Sequence, residues 1–272
     1  MLPPLHLRSL STFRSLVSTL NLPPPPPTSS VTYSTYQNLA TITITAPSTR
    51  NALSPHMMLQ LEDCINLAKA NNPPFLVLTG AHNAFCSGAD ITVAAATLMP
   101  ADQSAEGGRA MATHMNHCTA LLKALPNTIS FAAIDGAAYG GGAELATSCD
   151  FRVVTPTSEL RFVQTKMGVT TGWGGGRRLV EIVGRRKALE LLAFSDVVTA
   201  KDGVRIGLFD FVSDEGDTAA EFVSKKVAGV ELPNWKAVVD ADDASEEIEE
   251  FCKVWNQDKH RREFEKAMQP RK

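Results

Sequence analysis

Two short glycine-containing stretches could bring main-chain N–H groups to one ligand atom. The first is Phe85–Asp90, in which small residues follow an apolar run. The second is Asp135–Glu144, in which the glycines at 140–142 lead from a predicted strand into a predicted helix. Glycine lets the main chain approach a ligand, and N–H groups in the first turn of a helix have no intrahelical partner. Two such N–H groups that point at one carbonyl oxygen would form an oxyanion hole.

Several other site chemistries are excluded by the absence of their motifs. The chain contains no Gly-Lys dipeptide and therefore no P-loop, and it has neither the G-x-G-x-x-G spacing nor a nucleophile elbow. His114, His117 and Cys118 share one predicted helix but lack a fourth ligand, so we expect a solvated helix face and no metal site. The five cysteines are scattered without a C-x-x-C pair, which favours reduced, buried thiols.

The composition indicates a globular chain with no electrostatic affinity for nucleic acid. The 272 residues are 44% hydrophobic and 20% charged, and the formal net charge is −3. A polyphosphate partner is therefore not expected. No apolar run approaches the roughly 20 residues that a membrane span needs, so we also expect no membrane insertion.

The first 30 residues differ in composition from the rest of the chain. Residues 1–61 contain no Asp or Glu, and Arg8 and Arg14 lie among serines. Apolar residues recur at helical spacing, at Leu10, Phe13, Val17 and Leu20. This pattern resembles a mitochondrial presequence, and the run Pro23–Pro27 would follow it as a stiff spacer. We therefore expect residues 1–30 to be disordered and to direct the protein to mitochondria; the alternative is an extension without an address and a cytoplasmic protein.

Strand and helix patterns alternate in the remainder, as in an α/β protein. Residues 40–45 alternate apolar and Thr, which predicts a half-buried strand, and Ser54 followed by Pro55 predicts a helix start. Phe75–Leu78 is suited to a buried strand. Further strands are predicted at Ile129–Ile134 and Phe151–Val154, with a helix from about Met111 to Leu125 between the second and third strands, whereas Ala84–Asp90 reads as a loop. Beyond residue 180 the pattern is helical, and seven of the eleven residues 240–250 are acidic, as on a solvated helix face or linker.

Four motifs occur in the order that is typical of one protein superfamily. They are Asn51-Ala52-Leu53, Phe85–Asp90, Gly140–Glu144, and Gly172-Trp173-Gly174-Gly175 followed by Arg178-Leu179. From about residue 33 to 212 the chain thereby resembles the crotonase (enoyl-CoA hydratase and isomerase) superfamily. The resemblance implies a ClpP/crotonase-like spiral of ββα units over residues 31–212. It further implies that a helical segment, 213–272, assembles homotrimers or dimers of trimers.

The same resemblance implies an acyl-CoA thioester as substrate, with no metal and no cofactor apart from the coenzyme A of that substrate. The N–H groups of Ala89 and Gly141 would form the oxyanion hole for the thioester carbonyl. Arg50 would contact coenzyme A phosphates. The remaining substrate-binding residues would be Ala52, Leu53, Ser87, Asp90, Ile91, Tyr139, Gly140 and Trp173. Tyr139 and Trp173 could equally be core aromatics.

Glu144 and Gln164 decide which reaction is expected. Hydratases of the superfamily use two glutamates, and the second of these positions is Gln164 here, whose amide cannot titrate. If the substrate carries a carboxylate on its α-carbon, loss of carbon dioxide generates the enolate and Glu144 need only deliver a proton, directly or through water. A neutral Gln164 would also avoid repelling that carboxylate.

The stretch from Gly141 to Gly184 resembles the ethylmalonyl-CoA decarboxylase branch of the superfamily, in which histidine replaces the second glutamate. The chain departs from that branch at Ala137, Tyr139 and Thr171. We therefore expect decarboxylation of a short branched malonyl-type thioester, ethylmalonyl-CoA or methylmalonyl-CoA, as metabolite repair. Two alternatives remain open: an enoyl-CoA hydratase or isomerase that uses Glu144 alone, and an inactive CoA-binding or scaffold protein with the acidic segment as its interface.

Overall fold

The computed structural model describes residues 13–19, 24–93, 104–232 and 235–268. The strands are β1 (Ser30–Tyr36), β2 (Leu39–Thr45), β3 (Phe75–Gly80), β4 (Ala84–Cys86), β5 (Ile129–Ile134), β6 (Ala137–Tyr139), β7 (Phe151–Val154), β8 (Glu159–Arg161), β9 (Val198–Thr199) and β10 (Phe211–Val212). The helices are α1 (13–19), α2 (Pro55–Asn71), α3 (Ser104–Lys123), α4 (Gly141–Ala146), α5 (Gly175–Phe194), α6 (Ala200–Arg205), α7 (Ala219–Val227), α8 (Trp235–Val239), α9 (Ala244–Val254) and α10 (Asp258–Met268). Short 3-10 helices lie at Pro47–Thr49 and Gln164–Met167, and residues 91–93 are also helical.

The strands form two sheets that share each repeating unit. One sheet has six strands in the order β1-β2-β3-β5-β7-β10, and the other has four in the order β4-β6-β8-β9. The pairs β3/β4, β5/β6 and β7/β8 each place their first strand in the larger sheet and their second in the smaller one, and a helix follows. The predicted spiral of ββα units is confirmed.

Local sequence explains the larger sheet. Ala40, Ile42 and Ile44 of β2 are fully buried, whereas the threonines between them are half-exposed, as their alternation predicts. Every residue of β3 is buried, in agreement with its unbroken apolar run. The predicted N-cap of α2 is also confirmed, since Ser54 Oγ accepts a hydrogen bond from Met57 N.

The smaller sheet is where the structure differs from the sequence prediction. Strands β4, β6 and β8 have three residues each, and β4 lies within the segment predicted as a loop. The two-residue strands β9 and β10 interrupt the region predicted as helical. Two or three residues are too few for a period of two to be recognised, so tertiary pairing alone defines these strands.

The N-terminal region differs as well. Residues 13–19 are helical rather than disordered, with Phe13 and Val17 in the hydrophobic core. The other expectations for residues 1–12 and 20–23 lie outside the described residues.

Helix α3 corrects the expectation of a solvated face. His114 and Cys118 are both buried; His114 Nε2 lies 3.2 Å from the carbonyl oxygen of Met58, and its ring stacks on Phe13. Within the described part of the chain, no group of three or more His, Cys, Asp or Glu side chains could hold a metal ion.

All five cysteines are free, and four of them are buried. Burial raises the pKa of Cys64 to about 11 and those of Cys86 and Cys149 to about 12, and it also raises that of Cys118. These thiols are therefore protonated at neutral pH.

After residue 212 the first helix belongs to the core and the later ones are exposed. Ala219, Val223 and Val227 of α7 pack on a cluster that includes Phe75 and Phe131 of the larger sheet. Helices α8, α9 and α10 contain no buried residues, and most residues of the acidic segment 240–250 are exposed. That these helices assemble oligomers stays a prediction. Among the residues that the structure describes, no helix is long and apolar enough to span a bilayer.

Candidate active site

The turn after β4 meets the N-terminus of α4, because β4 and β6 are neighbours in the smaller sheet. An ideal Cβ added to Gly142 would lie 2.0 Å from Cys86 O, so only glycine allows this approach. Gly88 has a φ of +96°, and a Cβ added to it would lie 2.9 Å from Gly141 N. The two glycine-containing stretches singled out in the sequence are therefore in direct contact.

At this contact the main-chain N–H groups of Ala89 and Gly141 have no hydrogen-bond acceptor among the described residues. A bridge joins Leu53 to Ala89: Leu53 N donates to Gly88 O at 2.8 Å, and Asp90 N donates to Leu53 O at 2.9 Å. The intervening Ala89 N–H and the Gly141 N–H at the start of α4 donate to no acceptor among the described residues. Both groups thus keep their donor capacity for a ligand.

The Glu144 side chain is buried and accepts four hydrogen bonds. Its Oε2 accepts from Trp173 N at 2.8 Å and Gly175 N at 3.0 Å. Its Oε1 accepts from Gln164 Nε2 at 2.9 Å and Gly172 N at 3.3 Å. Since every partner is an N–H donor, the arrangement suits a carboxylate that acts only as an acceptor.

Glycines allow the loop 172–175 to lie against α4. A Cβ added to Gly175 would lie 2.4 Å from Glu144 Cγ. The Trp173 ring packs on Gly141, where an added Cβ would come within 2.7 Å of ring atoms. The side chain of Trp173 is therefore part of the buried core and also borders one of the two unpaired N–H groups.

Arg178 holds the loop 172–175 in place. It is buried, and its guanidinium donates to Glu144 O at 3.0 Å, Trp173 O at 2.8 Å, Thr147 Oγ1 at 3.1 Å and Thr119 Oγ1 at 3.2 Å. Burial lowers the pKa of Arg178, and the charge of Glu144 opposes that effect. Arg178 thereby connects α3, α4 and the loop 172–175.

Gln164 is held at the start of a 3-10 helix and is 7% exposed. Its amide must turn Nε2 toward Glu144, because the flipped amide would bring two oxygens together. Its Oε1 is then a buried acceptor with no hydrogen-bond partner among the described residues. A buried carbonyl oxygen without a partner carries a free-energy cost, so a ligand or water that donates a hydrogen bond to it binds more favourably.

The predicted substrate-binding residues lie around the Leu53–Ala89 bridge. Ser87 Oγ donates to Thr49 O at 2.8 Å, and Asp90 Oδ1 accepts from the main-chain N–H groups of residues 92 and 93. Ala52 and Leu53 are buried, and the Leu53 side chain belongs to the core, so only its main chain can contact a ligand. Arg50 and Ile91 are exposed, Tyr139 is half-buried, and Gly140 immediately precedes α4.

Two residues have roles that the sequence motifs do not reveal. Asn51 is fully buried with φ of +59°, and its side chain accepts from Ala46 N and donates to Ala81 O and Ala84 O, all at 2.7 Å. It therefore connects the segment before α2 to β4. Arg178 is the second, as described above. Both residues belong to the sequence motifs, but their contacts depend on tertiary structure.

Comparison with known proteins shows what this chain is similar to. The family model described as Enoyl-CoA hydratase/isomerase matches residues 34–239. Ethylmalonyl-CoA decarboxylase of Mus musculus is 41% identical over 195 residues, which cover 69% of this chain and 59% of the relative. The same enzyme of Rattus norvegicus is 40% identical, with 69% and 63% covered. The chain thus spans about three fifths of the length of these relatives.

A solved structure shares the fold. The crystal structure of enoyl-CoA hydratase from Bacillus anthracis superposes with a TM-score of 0.74 at 22% identity, covering 89% of this chain and 98% of that one. The family match over residues 34–239 establishes that the chain belongs to the enoyl-CoA hydratase/isomerase family, the crotonase superfamily.

Proposed function

We propose that the protein decarboxylates a short branched malonyl-type acyl-CoA, such as ethylmalonyl-CoA or methylmalonyl-CoA. The observation that carries the proposal is the hydrogen bond from Gln164 Nε2 to Glu144 Oε1. A two-carboxylate hydration mechanism needs a second titratable group at this position, and an amide cannot supply it. The 41% identity to a decarboxylase that acts on ethylmalonyl-CoA supports the same choice.

The N–H groups of Ala89 and Gly141 form the oxyanion hole of the proposed mechanism. The thioester carbonyl oxygen binds between them, next to the Gly88–Gly141 contact. As the bond from the α-carbon to the carboxylate breaks, its electron pair moves into the enolate and negative charge gathers on that oxygen. Donors fixed in advance stabilise this charge more than they stabilise the ground state. Each such donor contributes about 3–4 kcal/mol.

The reaction consumes one proton for each carbon dioxide released. The α-carbon of the enolate must gain that proton after carbon dioxide leaves. Because four N–H donors occupy the Glu144 carboxylate, we assign the immediate proton donor to a water molecule that Gln164 orients, while Glu144 holds the Gln164 amide in position. Solvent replaces the proton that this water gives up. The unpartnered Gln164 Oε1 can accept a hydrogen bond from that water.

Glutamine also suits a substrate that carries its own charge. A second glutamate at this position would repel the substrate carboxylate by about 4 kcal/mol at 4 Å and an effective dielectric constant of 20. It would repel Glu144 as well. A neutral amide removes both repulsions while it keeps a donor on Glu144.

The family itself favours a second candidate, an enoyl-CoA hydratase or isomerase that uses Glu144 alone. This reading follows from the hydratase/isomerase description of the matching family. It must, however, assign both proton transfers to one carboxylate that is saturated with donors. We therefore rank it below decarboxylation. The role in metabolite repair and the assembly into homotrimers or dimers of trimers belong to the proposal as well.

A substrate panel tests the proposed function. The purified protein is incubated with ethylmalonyl-CoA, methylmalonyl-CoA and crotonyl-CoA while carbon dioxide release and loss of the conjugated thioester are followed. We expect decarboxylation of the first two substrates, loss of that activity in Glu144→Gln, and no loss in the surface variant Glu181→Gln. Hydration of crotonyl-CoA without decarboxylation would replace the proposal by the second candidate. Coenzyme A binding without any turnover would favour an inactive CoA-binding protein.

A further inference from the structure

Helix α1 is fixed to the folded protein by apolar and ionic contacts. Phe13 is fully buried and stacks on His114 with ring centroids 4.6 Å apart, and Val17 is 4% exposed. The Arg14 guanidinium contacts Glu62 Oε2 at 2.8 Å and Asp63 Oδ1 at 2.9 Å on α2. The N-terminal helix is therefore part of the fold, and cleavage after residue 30 would remove a core phenylalanine.

The C-terminal end of the proline run is fixed next to β1. Ser29 N donates to Pro26 O at 2.7 Å, and β1 begins at Ser30. On α2, Gln60 Oε1 accepts a hydrogen bond from Val31 N at 2.9 Å. Proline fixes φ near −65°, so Pro24–Pro26 holds one shape before the Ser29 turn with little loss of entropy.

These prolines border a cavity that also contains predicted substrate-binding residues. The cavity has a volume of about 280 Å³, and Pro24, Pro25 and Pro26 line it together with Ala52, His56 and Asp90. Ala52 and Asp90 are each one residue from the Leu53–Ala89 bridge, and therefore from the Ala89 N–H. A proline stretch that the sequence suggests is only a spacer thus lies beside the proposed thioester site.

The position of the cavity indicates which part of an acyl-CoA could occupy it. The lining of this cavity includes none of the proposed reaction-site residues Glu144, Gln164 and Trp173. The reacting acyl group therefore lies elsewhere, and the part that can reach the cavity is the chain beyond the thioester sulfur. The volume is at the small end of the roughly 300–1,000 Å³ of ligand pockets, so it fits one section of coenzyme A rather than the whole.

We propose that Pro24–Pro26 forms a wall of the coenzyme A binding site. This inference rests on the proposed acyl-CoA substrate. Proline rings offer apolar faces to the ligand, whereas His56 and Asp90, which also line the cavity, offer polar groups. The wall sets the affinity for coenzyme A and its thioesters, and it leaves the bond-breaking step unchanged because neither Glu144 nor Gln164 lines the cavity that it borders.

Two variants test the wall, one by filling the cavity and one by making the proline segment flexible. Pro25→Trp fills the cavity, and the triple variant Pro24→Gly, Pro25→Gly, Pro26→Gly releases the fixed shape of the segment. We expect each to raise the KM for ethylmalonyl-CoA and the calorimetric Kd of free coenzyme A about tenfold, with kcat within about twofold of the wild type. The control is the N-acetylcysteamine thioester of ethylmalonate, which lacks the nucleotide and most of the pantetheine. Its kcat/KM should be the same for wild type and variants.

The outcomes separate this inference from the proposed function. If the wild type binds coenzyme A but does not decarboxylate, the proposed function fails and the Kd values alone test the wall. An unchanged Kd and KM in both variants overturns the wall, as does an equal loss of kcat/KM with the short thioester. A wild type that does not bind coenzyme A overturns both.

Discussion

Nε2 of Gln164 donates to Oε1 of Glu144 across 2.9 Å between two buried side chains. This contact does two things at once. It adds a donor to a carboxylate that already accepts three main-chain N–H groups, and it directs the Gln164 carbonyl oxygen away from Glu144 as an unpartnered acceptor. A carboxylate at position 164 would reverse both effects.

The first prediction concerns the charge at position 164. In Gln164→Glu two carboxylates would face each other in a buried site, where like charges about 4 Å apart repel by about 4 kcal/mol at an effective dielectric constant of 20. We expect kcat/KM for ethylmalonyl-CoA to fall at least about 100-fold, because the substrate carboxylate meets the same repulsion. Crotonyl-CoA hydration is assayed in parallel, and we expect slight activity, since a second carboxylate supplies what hydration lacks.

The matched variant is Gln164→His, which keeps an N–H donor at that position and adds no negative charge. It should retain decarboxylation within about tenfold of the wild type. An unchanged rate in Gln164→Glu would show that charge at this position does not matter, and the argument from the amide would then be wrong.

The second prediction concerns the oxyanion hole. Gly88 has a φ of +96°, and a Cβ there would lie 2.9 Å from Gly141 N, so Gly88→Ala must separate the two turns. We expect kcat to fall by a factor of about 10² to 10³, the effect of losing one such donor. The measurement is single-turnover decarboxylation of ethylmalonyl-CoA.

Gly207→Ala provides the control for backbone strain. Gly207 also has a positive φ, +74°, but an added Cβ would meet nothing within 4 Å. The two variants share the strained conformation and differ in the contact at the site. Equal losses of kcat in both would indicate general destabilisation and would remove the support for an oxyanion hole at Gly141.

The sequence predicts the larger sheet and the glycine turns because their signals are local. The alternation in β2, the apolar run of β3 and the Ser54 N-cap each reside in a few consecutive residues, and the structure reproduces them. Gly88 and Gly141 were identified because glycine is the residue that permits such an approach. Element types in the larger sheet could therefore be inferred without tertiary information.

The features that the sequence does not predict depend on partners far along the chain. The strands β4, β6 and β8 exist through pairing with one another. The solvated environment expected for His114 is wrong because Phe13, 101 positions earlier, covers its ring. Similarly, nothing local to Arg178 indicates that it joins α3 to α4. Long-range packing of this kind has no sequence period.

The third prediction concerns Arg178. Replacing it by Met in Arg178→Met removes four hydrogen bonds and leaves the carbonyl oxygens of Glu144 and Trp173 buried without these donors. Breaking a buried charged network of this kind destabilises a protein by about 3–5 kcal/mol, which lowers Tm by roughly 10 °C in a chain of this size. We also expect kcat to fall more than KM rises, because the loop that holds Glu144 loses its support.

Arg177→Met is the neighbouring control. The Arg177 side chain is 89% exposed and makes one ion pair, with Glu181 at 3.4 Å. Its loss should change Tm by less than about 2 °C. If thermal denaturation gave the same Tm for both variants, Arg178 would not be the support that its contacts indicate.

The fourth prediction concerns pH and the stability of the fold at His114. Burial lowers the pKa of His114, an effect that the nearby charges of His117 and Arg14 reinforce, while the Met58 carbonyl and the Glu62 charge partly oppose it. The Cys118 thiol and the Phe13 ring also contact it. The native protein therefore binds a proton at this site less readily than the unfolded chain, whose histidine has a pKa of about 6.5.

The sign of the pH effect follows from this difference. Below pH 6.5 the unfolded chain gains a proton that the native protein lacks, so the free energy of unfolding decreases as pH falls, by up to about 1.4 kcal/mol per pH unit until the native pKa is reached. His114→Phe keeps an aromatic ring against Phe13 but cannot titrate. Between pH 7.5 and 5.5 this variant should lose about 1 kcal/mol less than the wild type in urea denaturation. His82→Asn, which replaces an exposed histidine, should keep the wild-type dependence. Equal pH dependence in His114→Phe and the wild type would rule out His114 as a group that makes the free energy of unfolding depend on pH.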